Sequence, residues 1–457
     1  MRAQPDDFGT RLKIAVTGTP DTPLVFLGNF EIEDRWAMGE PGLPGVSFPA
    51  GRAVVNRMDE FTLLLAGPDD HVVLKAAPDP GYLNYLDELG LTPPHILTID
   101  HQDPQHTVTA DILADHATQD ALRRLGRGGA RLLPHGVSDL EEELAQASEI
   151  PLAAPAAAVC KRVNSKIYSC RLAEELALRR PRGWAAETLD ELDRAVEQAR
   201  LLLADGHTVV VKDAYGVSGR GIAVVATVER LDRLQRMAIR RAERAGHRRA
   251  GLVVEEWVAK RTDLNYQFTI GRDGDVHFDF VKEAITEAGV HKGHRFPAAL
   301  TPAQDALLRD SAQRIGAALA RDGYFGVAGV DALLDPDGGL YPMIEINARN
   351  NMSTYQARIQ ETLGTDENPV LARHYPVRLR APLAFSDLRR ALKGILLERD
   401  SDSGLLINNF ATVNAAAPAA STPSDGYDGR LYGLVMARDP HQLSAIDTEI
   451  STRLAAL

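Results

Sequence analysis

Short apolar runs alternate with amphipathic stretches through the first third of the chain. The runs at 23–29, 61–65, 71–75 and 96–99 predict buried strands, since each is short and turn-forming residues separate them. The stretches 82–89 and 117–125 predict helices, and Leu83, Leu86 and Leu89 lie on one stripe of the first. Strands that alternate with helices are typical of an open α/β sheet, which we expect in a first domain over residues 1–155.

The next part of the chain carries a glycine-rich loop between two strands. The Pro- and Ala-rich stretch 151–159 is a candidate linker, and a helix is expected to start near Lys166. A strand then ends at Lys212, the loop DAYGVSGRG follows, and a second strand leads into a basic helix over 228–245. Such a loop can lay backbone N–H groups over phosphates. An ordinary hairpin turn is the alternative, and the basic helix is either a solvated face or a patch for an anion or partner.

The stretch 251–258 predicts a strand that ends in two acids and a tryptophan. Glu255 is placed to accept a hydrogen bond from an adenine amino group, and the Val258 N–H to meet a ring nitrogen. An exposed acidic strand end is the alternative. A hairpin over 265–270 and 275–280 follows, and Lys282 comes directly after it.

A basic segment over 286–297 follows the hairpin and carries His291, Lys292, His294 and Arg295. We expect it to be a mobile loop that contacts the substrate. A zinc site on the two histidines is the weaker alternative, because no partner ligands lie close in sequence.

Residues 329–352 predict two strands joined by a tight turn at the sequence DPDGG. Side chains two apart on a strand share a face, so Glu345 and Asn347 point the same way, and folding the hairpin brings Asp331 opposite Glu345. Oxygen ligands of this kind suit Mg²⁺ that also binds substrate phosphates. Arg349 adds a cation beside them. A solvent-facing acidic hairpin is the alternative.

The remaining elements flank this hairpin. A helix over 301–322 has Thr301 as its N-cap and Pro302 at its first position, and a helix over 350–363 is expected to cover the site. From residue 376 we expect a C-terminal α+β segment, with helices at 385–397 and 439–454, strands at 404–413 and 429–437, and a flexible loop at 414–427.

Composition is that of an ordinary globular protein: 457 residues, of which 44% are hydrophobic and 25% charged. The net charge of -12 argues against a nucleic-acid or anionic-membrane surface. Without a secretory h-region or a membrane-spanning run, a cytoplasmic location is expected. Cys160 and Cys170 lack Cys-x-x-Cys spacing and predict free thiols.

Taken together, the order of these motifs resembles that of ATP-grasp enzymes. Lys166, Lys212, the loop YGVSGRG, the strand VVEEWV and the hairpin ending in EIN and Arg349 carry the resemblance, over about residues 160–375. The N-terminal stretch LGNFEIEDRWA and the C-terminal tail look like those of the pheganomycin-type peptide ligases. The implied fold is a pre-ATP-grasp α/β domain at 1–155, a two-lobed ATP-grasp core at 156–375 and an α+β segment at 376–457.

The resemblance implies a role for each motif residue. The expected ATP contacts are Lys166, Lys212, Gly216, Ser218, Gly219, Gly221, Glu255, Glu256, Val258 and Asp263. The expected Mg²⁺ ligands are Asp331, Glu345 and Asn347, with Mn²⁺ as a substitute. The expected catalytic residues are Arg349, Lys212 and Lys282, and the expected substrate contacts are Arg295, Arg349 and Asn351.

The implied activity is ATP-dependent joining of a carboxylate to an amine through an acyl phosphate, in natural-product peptide biosynthesis. Small amino acids or peptides are the expected partners, with no nucleic acid or membrane, and a homodimer is left open. A non-catalytic ATP-binding regulator and a biotin-carboxylase-like enzyme are the alternatives. Intact Lys212, Asp331, Glu345, Asn347 and Arg349 argue against the first, and no biotinyl domain is present for the second.

Overall fold

A computed structural model describes residues 7–43, 51–216, 221–287, 290–363, 368–418 and 426–457. The first domain is built on a parallel sheet in the order β3–β2–β1–β4. Its strands are β1 (Leu24–Leu27), β2 (His71–Leu74), β3 (His95–Thr98) and β4 (Arg131–Pro134). Its helices are α1 (Phe8–Thr17), α2 (Ile32–Ala37), α3 (Arg52–Asn56), α4 (Thr62–Leu65), α5 (Pro80–Glu88), α6 (Val108–Ala114), α7 (His116–Arg127) and α8 (Asp139–Ala147). The expected open α/β architecture is confirmed.

One predicted strand of this domain is wrong. The run at 61–65 forms the end of a 3₁₀ turn, Met58–Phe61, and the short helix α4. All four residues of α4 are buried, and a segment buried on every side has the same sequence pattern whether it is helical or extended. The candidate linker also differs from expectation: Leu152 pairs with Leu132 of β4, and α9 (Ala157–Val163) begins within the predicted stretch.

A small antiparallel sheet in the order β5–β8–β6–β7 forms one lobe of the core. Its strands are β5 (Gly183–Thr188), β6 (Val209–Asp213), β7 (Ile222–Val225) and β8 (Arg249–Glu256). Helices α10 (Lys166–Glu175), α11 (Leu189–Ala204) and α12 (Val228–Arg244) accompany it. Thr188 and Glu191 form a capping box that starts α11, whose buried Leu192 and Val196 pack on the sheet.

A long, eight-stranded sheet forms the other lobe, in the order β13–β12–β9–β10–β11–β14–β16–β15. Its strands are β9 (Thr262–Ile270), β10 (Val276–Glu287), β11 (Val290–Phe296), β12 (Gly326–Leu334), β13 (Leu340–Asn347), β14 (Val370–Leu379), β15 (Gly404–Asn409) and β16 (Tyr427–Met436). Its helices are α13 (Pro302–Arg321), α14 (Ala357–Leu363), α15 (Phe385–Ala391) and α16 (Pro440–Leu454). Tyr266 and Phe268 of β9 share an apolar core with Leu308 and Ile315 of α13.

Several expected boundaries change in this sheet. The basic segment is not a loop, because β10 and β11 pair through it. The helix expected at 350–363 is a 3₁₀ turn, Thr354–Gln356, followed by α14, and α15 and β15 end earlier than predicted. Strand β14 spans the expected domain boundary at 375/376, so the C-terminal strands continue the same sheet as the metal hairpin. None of the described helices is both apolar and long enough to span a bilayer.

Candidate active site

Four polar side chains form a row across four neighbouring strands of the long sheet. Lys282 of β10 pairs with Asn265 of β9, Asn265 with Asp331 of β12, and Asp331 with Glu345 of β13. Directly opposed residues share a face of a sheet, so the register alone brings these groups together. The strand pairing expected for the metal hairpin is therefore present.

Asp331 is the most constrained carboxylate of the row. Its two oxygens accept hydrogen bonds from Asn265 Nδ2 at 2.8 Å and from Asn347 Nδ2 at 3.2 Å. Burial raises the pKa of Asp331 to about 6, and the neighbouring charge of Glu345 adds to the effect. A bound cation would relieve both costs.

The donor set is of a kind that suits Mg²⁺, and its assignment as the metal site stays a prediction. Asp331, Glu345 and Asn347 offer two carboxylates and one amide oxygen, which are hard ligands suited to a small divalent cation. Across the ranges that the structure describes, no group of three His, Cys, Asp or Glu side chains forms a separate metal site. The zinc alternative therefore gains no support from the described residues, and the side chain of His291 lies outside them.

Lys166 connects the metal hairpin to the glycine-rich loop. Its Nζ donates to Glu345 Oε1 at 2.6 Å and to the Gly216 carbonyl at 2.9 Å, and its N–H donates to the Ala214 carbonyl. Gly221 ends the loop with φ +72°, where a Cβ would come within 2.3 Å of Asp213 Oδ2, so the backbone there requires glycine. Ser218 and Gly219 lie outside the described residues.

A cleft opens between the small sheet and the metal hairpin. Lys212 and Glu255 line it from the small sheet, and their side chains form an ion pair. Burial is the largest influence and would lower the pKa of Lys212, but the attraction and hydrogen bond of Glu255, together with the charge of Glu345, raise that pKa overall. Lys166 and Met343 line the opposite wall. The cleft therefore brings together three of the residues that the sequence assigned to ATP, namely Lys166, Lys212 and Glu255.

The acids at the end of β8 lie on opposite faces of that strand. Glu256 accepts from Arg182 Nε at 2.8 Å and lies 3.0 Å from His207 Nδ1, so its side chain faces away from Lys212. The predicted adenine contacts of Glu256 and Val258 would therefore be made by the backbone groups of these residues. Asp263 is on the same face of β9 as Asn265, where it contacts Lys260 and accepts from Thr286 Oγ1. Its assignment to the ribose stays a prediction.

Lys282 is buried at the other end of the polar row. Its Nζ donates to Gln356 Oε1 at 2.9 Å and to the Ser353 carbonyl at 3.5 Å, and it lies 4.5 Å from the Phe280 ring centroid. No carboxylate forms an ion pair with it among the residues that the structure describes. Burial lowers the pKa of Lys282 well below its ordinary value.

Arg349 lies directly after the metal hairpin and makes a contact that the sequence did not indicate. Its Nη2 contacts Asn347 Oδ1 at 3.1 Å and forms an ion pair with Glu33 of α2, in the first domain. Its Nη1 donates to the Asn350 carbonyl and to Asn351 Oδ1. The stretch LGNFEIEDRW had marked the region of Glu33, but no local pattern distinguished this acid from its neighbours.

Arg295 is the predicted substrate residue that the structure places elsewhere. It pairs with Glu283, and strand alternation puts both on the face opposite Lys282. Arg295 is also exposed. Its expected contact with the substrate in this site is therefore not supported. Asn351, by contrast, packs over Gly329, where a Cβ would lie 2.4 Å from Asn351 Nδ2.

Two known protein families match separate parts of the chain. Residues 58–150 match the family described as Pre ATP-grasp domain. Residues 166–361 match the family described as Carbamoyl-phosphate synthase L chain, ATP binding domain. The matched range contains Lys166, Lys212 and the metal hairpin. The chain belongs to the ATP-grasp superfamily. The superfamily and the expected order of a pre-ATP-grasp domain before the ATP-grasp core are thus confirmed.

Individual relatives of this ATP-grasp chain extend over nearly all of it. It is 28% identical to the [Butirosin acyl-carrier protein]--L-glutamate ligase of Niallia circulans, over 92% of this chain and 93% of that protein. A biotin carboxylase complex with β,γ-ATP from Campylobacter jejuni has a TM-score of 0.54 at 15% identity, covering 94% and 95% of the two chains. An N5-carboxyaminoimidazole synthase from Aspergillus clavatus, bound to ADP and 5-aminoimidazole ribonucleotide, has a TM-score of 0.51 at 14% identity, covering 95% and 99%.

The relatives confirm the expected enzyme class, an ATP-grasp ligase that forms carbon–nitrogen bonds. The solved structures share the fold, and the glutamate ligase shares measurable sequence identity over the full domain order. ADP or ATP is bound in solved structures that share this fold.

Proposed function

We propose that the chain is an ATP-dependent carboxylate–amine ligase that forms an amide or peptide bond through an acyl phosphate. The observation that carries the proposal is the position of Arg349 beside the hairpin of Asp331, Glu345 and Asn347. A guanidinium next to a metal–phosphate site supplies a planar, two-pronged donor for a substrate carboxylate.

In the first step, a carboxylate held by Arg349 attacks the γ-phosphorus of ATP. A new carboxyl C–O–P linkage forms, the bond to the β-phosphate oxygen breaks, and ADP leaves with the electron pair. Asp331, Glu345 and Asn347 would hold Mg²⁺, or Mn²⁺ in its place, which would offset the phosphate charge when bound. Lys166 and Lys212 lie on the cleft wall and position the phosphates, and positioning of this kind supplies much of the rate.

In the second step, an amine attacks the carbonyl carbon of the acyl phosphate. The C–N bond forms and phosphate leaves with the electrons of the C–O bond. Of the two protons that an ammonium group loses overall, one ends on the phosphate and the other goes to a base. Arg349 remains close to the carbonyl and donates to the oxyanion of the tetrahedral intermediate.

Amino acids or peptides are the proposed substrates, in cytoplasmic biosynthesis of a natural-product peptide. The support is the relative named as a butirosin acyl-carrier protein–glutamate ligase.

A second candidate is transfer of the acyl group to an acceptor on a carrier protein, as that relative's name implies for itself. Helix α12 offers a surface for an acidic protein: Arg230, Arg233, Arg240 and Arg244 lie on the same exposed side as Met237. This face is basic although the whole chain has a net charge of -12.

The proposal is tested by supplying ATP, Mg²⁺, pools of amino acids and short peptides, and an acidic carrier protein, and by measuring phosphate release and the mass of the coupled product. Glu345→Ala is expected to lower turnover about a thousandfold or more, because it removes a ligand of the metal that offsets transition-state charge. Glu283→Gln is the matched control, since Glu283 lies on the other face of the same sheet.

Two results would contradict the proposal. Unchanged turnover in Glu345→Ala would show that the hairpin does not hold the metal. ATP binding without phosphate release in any pool would favour the non-catalytic regulator.

A further inference from the structure

The ion pair between Glu33 and Arg349 joins the first domain to the catalytic hairpin. Glu33 lies on α2, which follows the carboxyl end of β1, and Arg349 follows β13. Each side chain is 14% exposed, so the pair is largely removed from water. At this burial the loss of either partner leaves a costly unpaired charge.

Glu33 occupies a position that the proposed reaction needs for its substrate. The carboxylate of Glu33 contacts Nη2 of Arg349, whereas Nε of the same guanidinium is buried and has no hydrogen-bond partner among the described residues. Nε and Nη2 together form the edge that binds a carboxylate with two parallel hydrogen bonds. A substrate carboxylate on that edge would satisfy Nε and displace Glu33 from Nη2.

Hydrogen bonds around α2 would hold Glu33 in place after a substrate carboxylate has displaced it from Arg349. Trp36 Nε1 donates to the Val137 carbonyl at 2.9 Å, and Asn29 Nδ2 donates to the Gly136 carbonyl at 2.8 Å, so both ends of this segment are fixed to the first domain. A small, mostly apolar pocket lies at the same domain boundary, and His135, Arg349 and Asn350 are its polar lining residues.

We propose that Glu33 is the binding site for the ammonium group of the acceptor amine, an inference that rests on the proposed ligase function. When the donor carboxylate binds to Arg349, Glu33 loses its cationic partner while it remains largely buried. The acceptor ammonium restores the charge balance and lies next to the acyl carbon, which is itself held by Arg349. The arrangement also sets an order, because the ammonium site is formed only after the donor has bound.

The test separates acyl phosphate formation from amine coupling. Hydroxylamine is small, neutral and nucleophilic, so it traps the acyl phosphate as a hydroxamate without an ammonium site. In Glu33→Gln, we expect hydroxamate formation to stay within about threefold of wild type. We expect KM for the acceptor amine to rise about tenfold to a hundredfold, because one charge-assisted hydrogen bond to the ammonium group is lost. Asp34→Asn, an exposed acid next along α2, is the matched control and is expected to leave both rates unchanged.

Each contrary result has a distinct meaning. If hydroxamate formation and coupling fall together in Glu33→Gln, Glu33 only positions Arg349 and the amine site is rejected. An unchanged amine KM rejects it as well. If the wild-type protein forms no hydroxamate with any carboxylate, the ligase proposal itself fails, and that outcome is visible before the variant is measured.

Discussion

Lys212 and Lys282 are both buried lysines of the ATP-grasp core, but their surroundings differ. Lys212, on the small sheet, pairs with the carboxylate of Glu255. Lys282, on the long sheet, has an amide oxygen, a backbone carbonyl and aromatic rings around it. The Glu255 carboxylate raises the pKa of Lys212 against the effect of burial, whereas burial lowers the pKa of Lys282 well below its ordinary value.

The difference separates two ways of supplying positive charge to a phosphate. Lys212 is already charged and must exchange Glu255 for the nucleotide. Among the described residues, Lys282 has no carboxylate partner, and burial disfavours its ammonium form, which a bound anion would favour. The small sheet therefore holds its lysine in an ion pair in advance, whereas the lysine of the long sheet has no such pair to break.

The largest expected effect comes from Lys212→Met. This change leaves Glu255 without a cation in a mostly buried position, and breaking such a pair costs about 3 kcal/mol of unfolding free energy. Urea unfolding measures the loss, and KM for ATP should rise as well. The double variant Lys212→Met/Glu255→Gln is the control and should recover most of the stability. A loss below about 1 kcal/mol in the single variant would remove the contrast with Lys282.

Lys282→Met sharpens the comparison from the other side. Replacing a buried amine that lacks a carboxylate partner with an apolar chain of similar length removes a desolvation cost, which offsets the lost hydrogen bond to Gln356, so stability should stay within about 1 kcal/mol of wild type or increase. Turnover should nevertheless fall about tenfold to a hundredfold if Lys282 serves the phosphates. Equal stability losses in the two lysine variants would contradict the assigned difference, and unchanged turnover would remove Lys282 from the catalytic set.

A third prediction concerns Glu60, a buried acid in the first domain. It accepts from the N–H groups of Phe410 and Ala411, and burial raises its pKa to about 7 from an ordinary 4.5. The folded state thus binds more protons than the unfolded state between these values, so stability falls as pH rises through this window. In Glu60→Gln, that decline should be smaller by roughly 2 kcal/mol, as measured by urea unfolding at pH 5 and pH 8. An identical pH dependence in both proteins would contradict the raised pKa.

The sequence predicted the parts of the site that depend on local order. The turn at DPDGG and the alternation around Glu345 and Asn347 determine the pairing of the metal hairpin, and both are local signals. The contact between Glu33 and Arg349 depends on how two domains pack, and no pattern near either residue encodes it. The predicted substrate contact of Arg295 fails for a related reason. The pairing of β10 with β11 decides which face of the sheet the Arg295 side chain occupies, whereas the basic composition of that segment suggested a loop.

The long sheet also has a consequence for how the protein is made. Strand β11 of the catalytic lobe pairs with β14, and β14 pairs with β16, which ends at Met436. During translation, the outer edge of β11 thus stays unpaired until β14 has been made, and the outer edge of β14 stays unpaired until β16 follows near the end of the chain. An open strand edge favours pairing with other chains. Premature termination before β14 would therefore be expected to produce an aggregation-prone protein rather than a shortened enzyme.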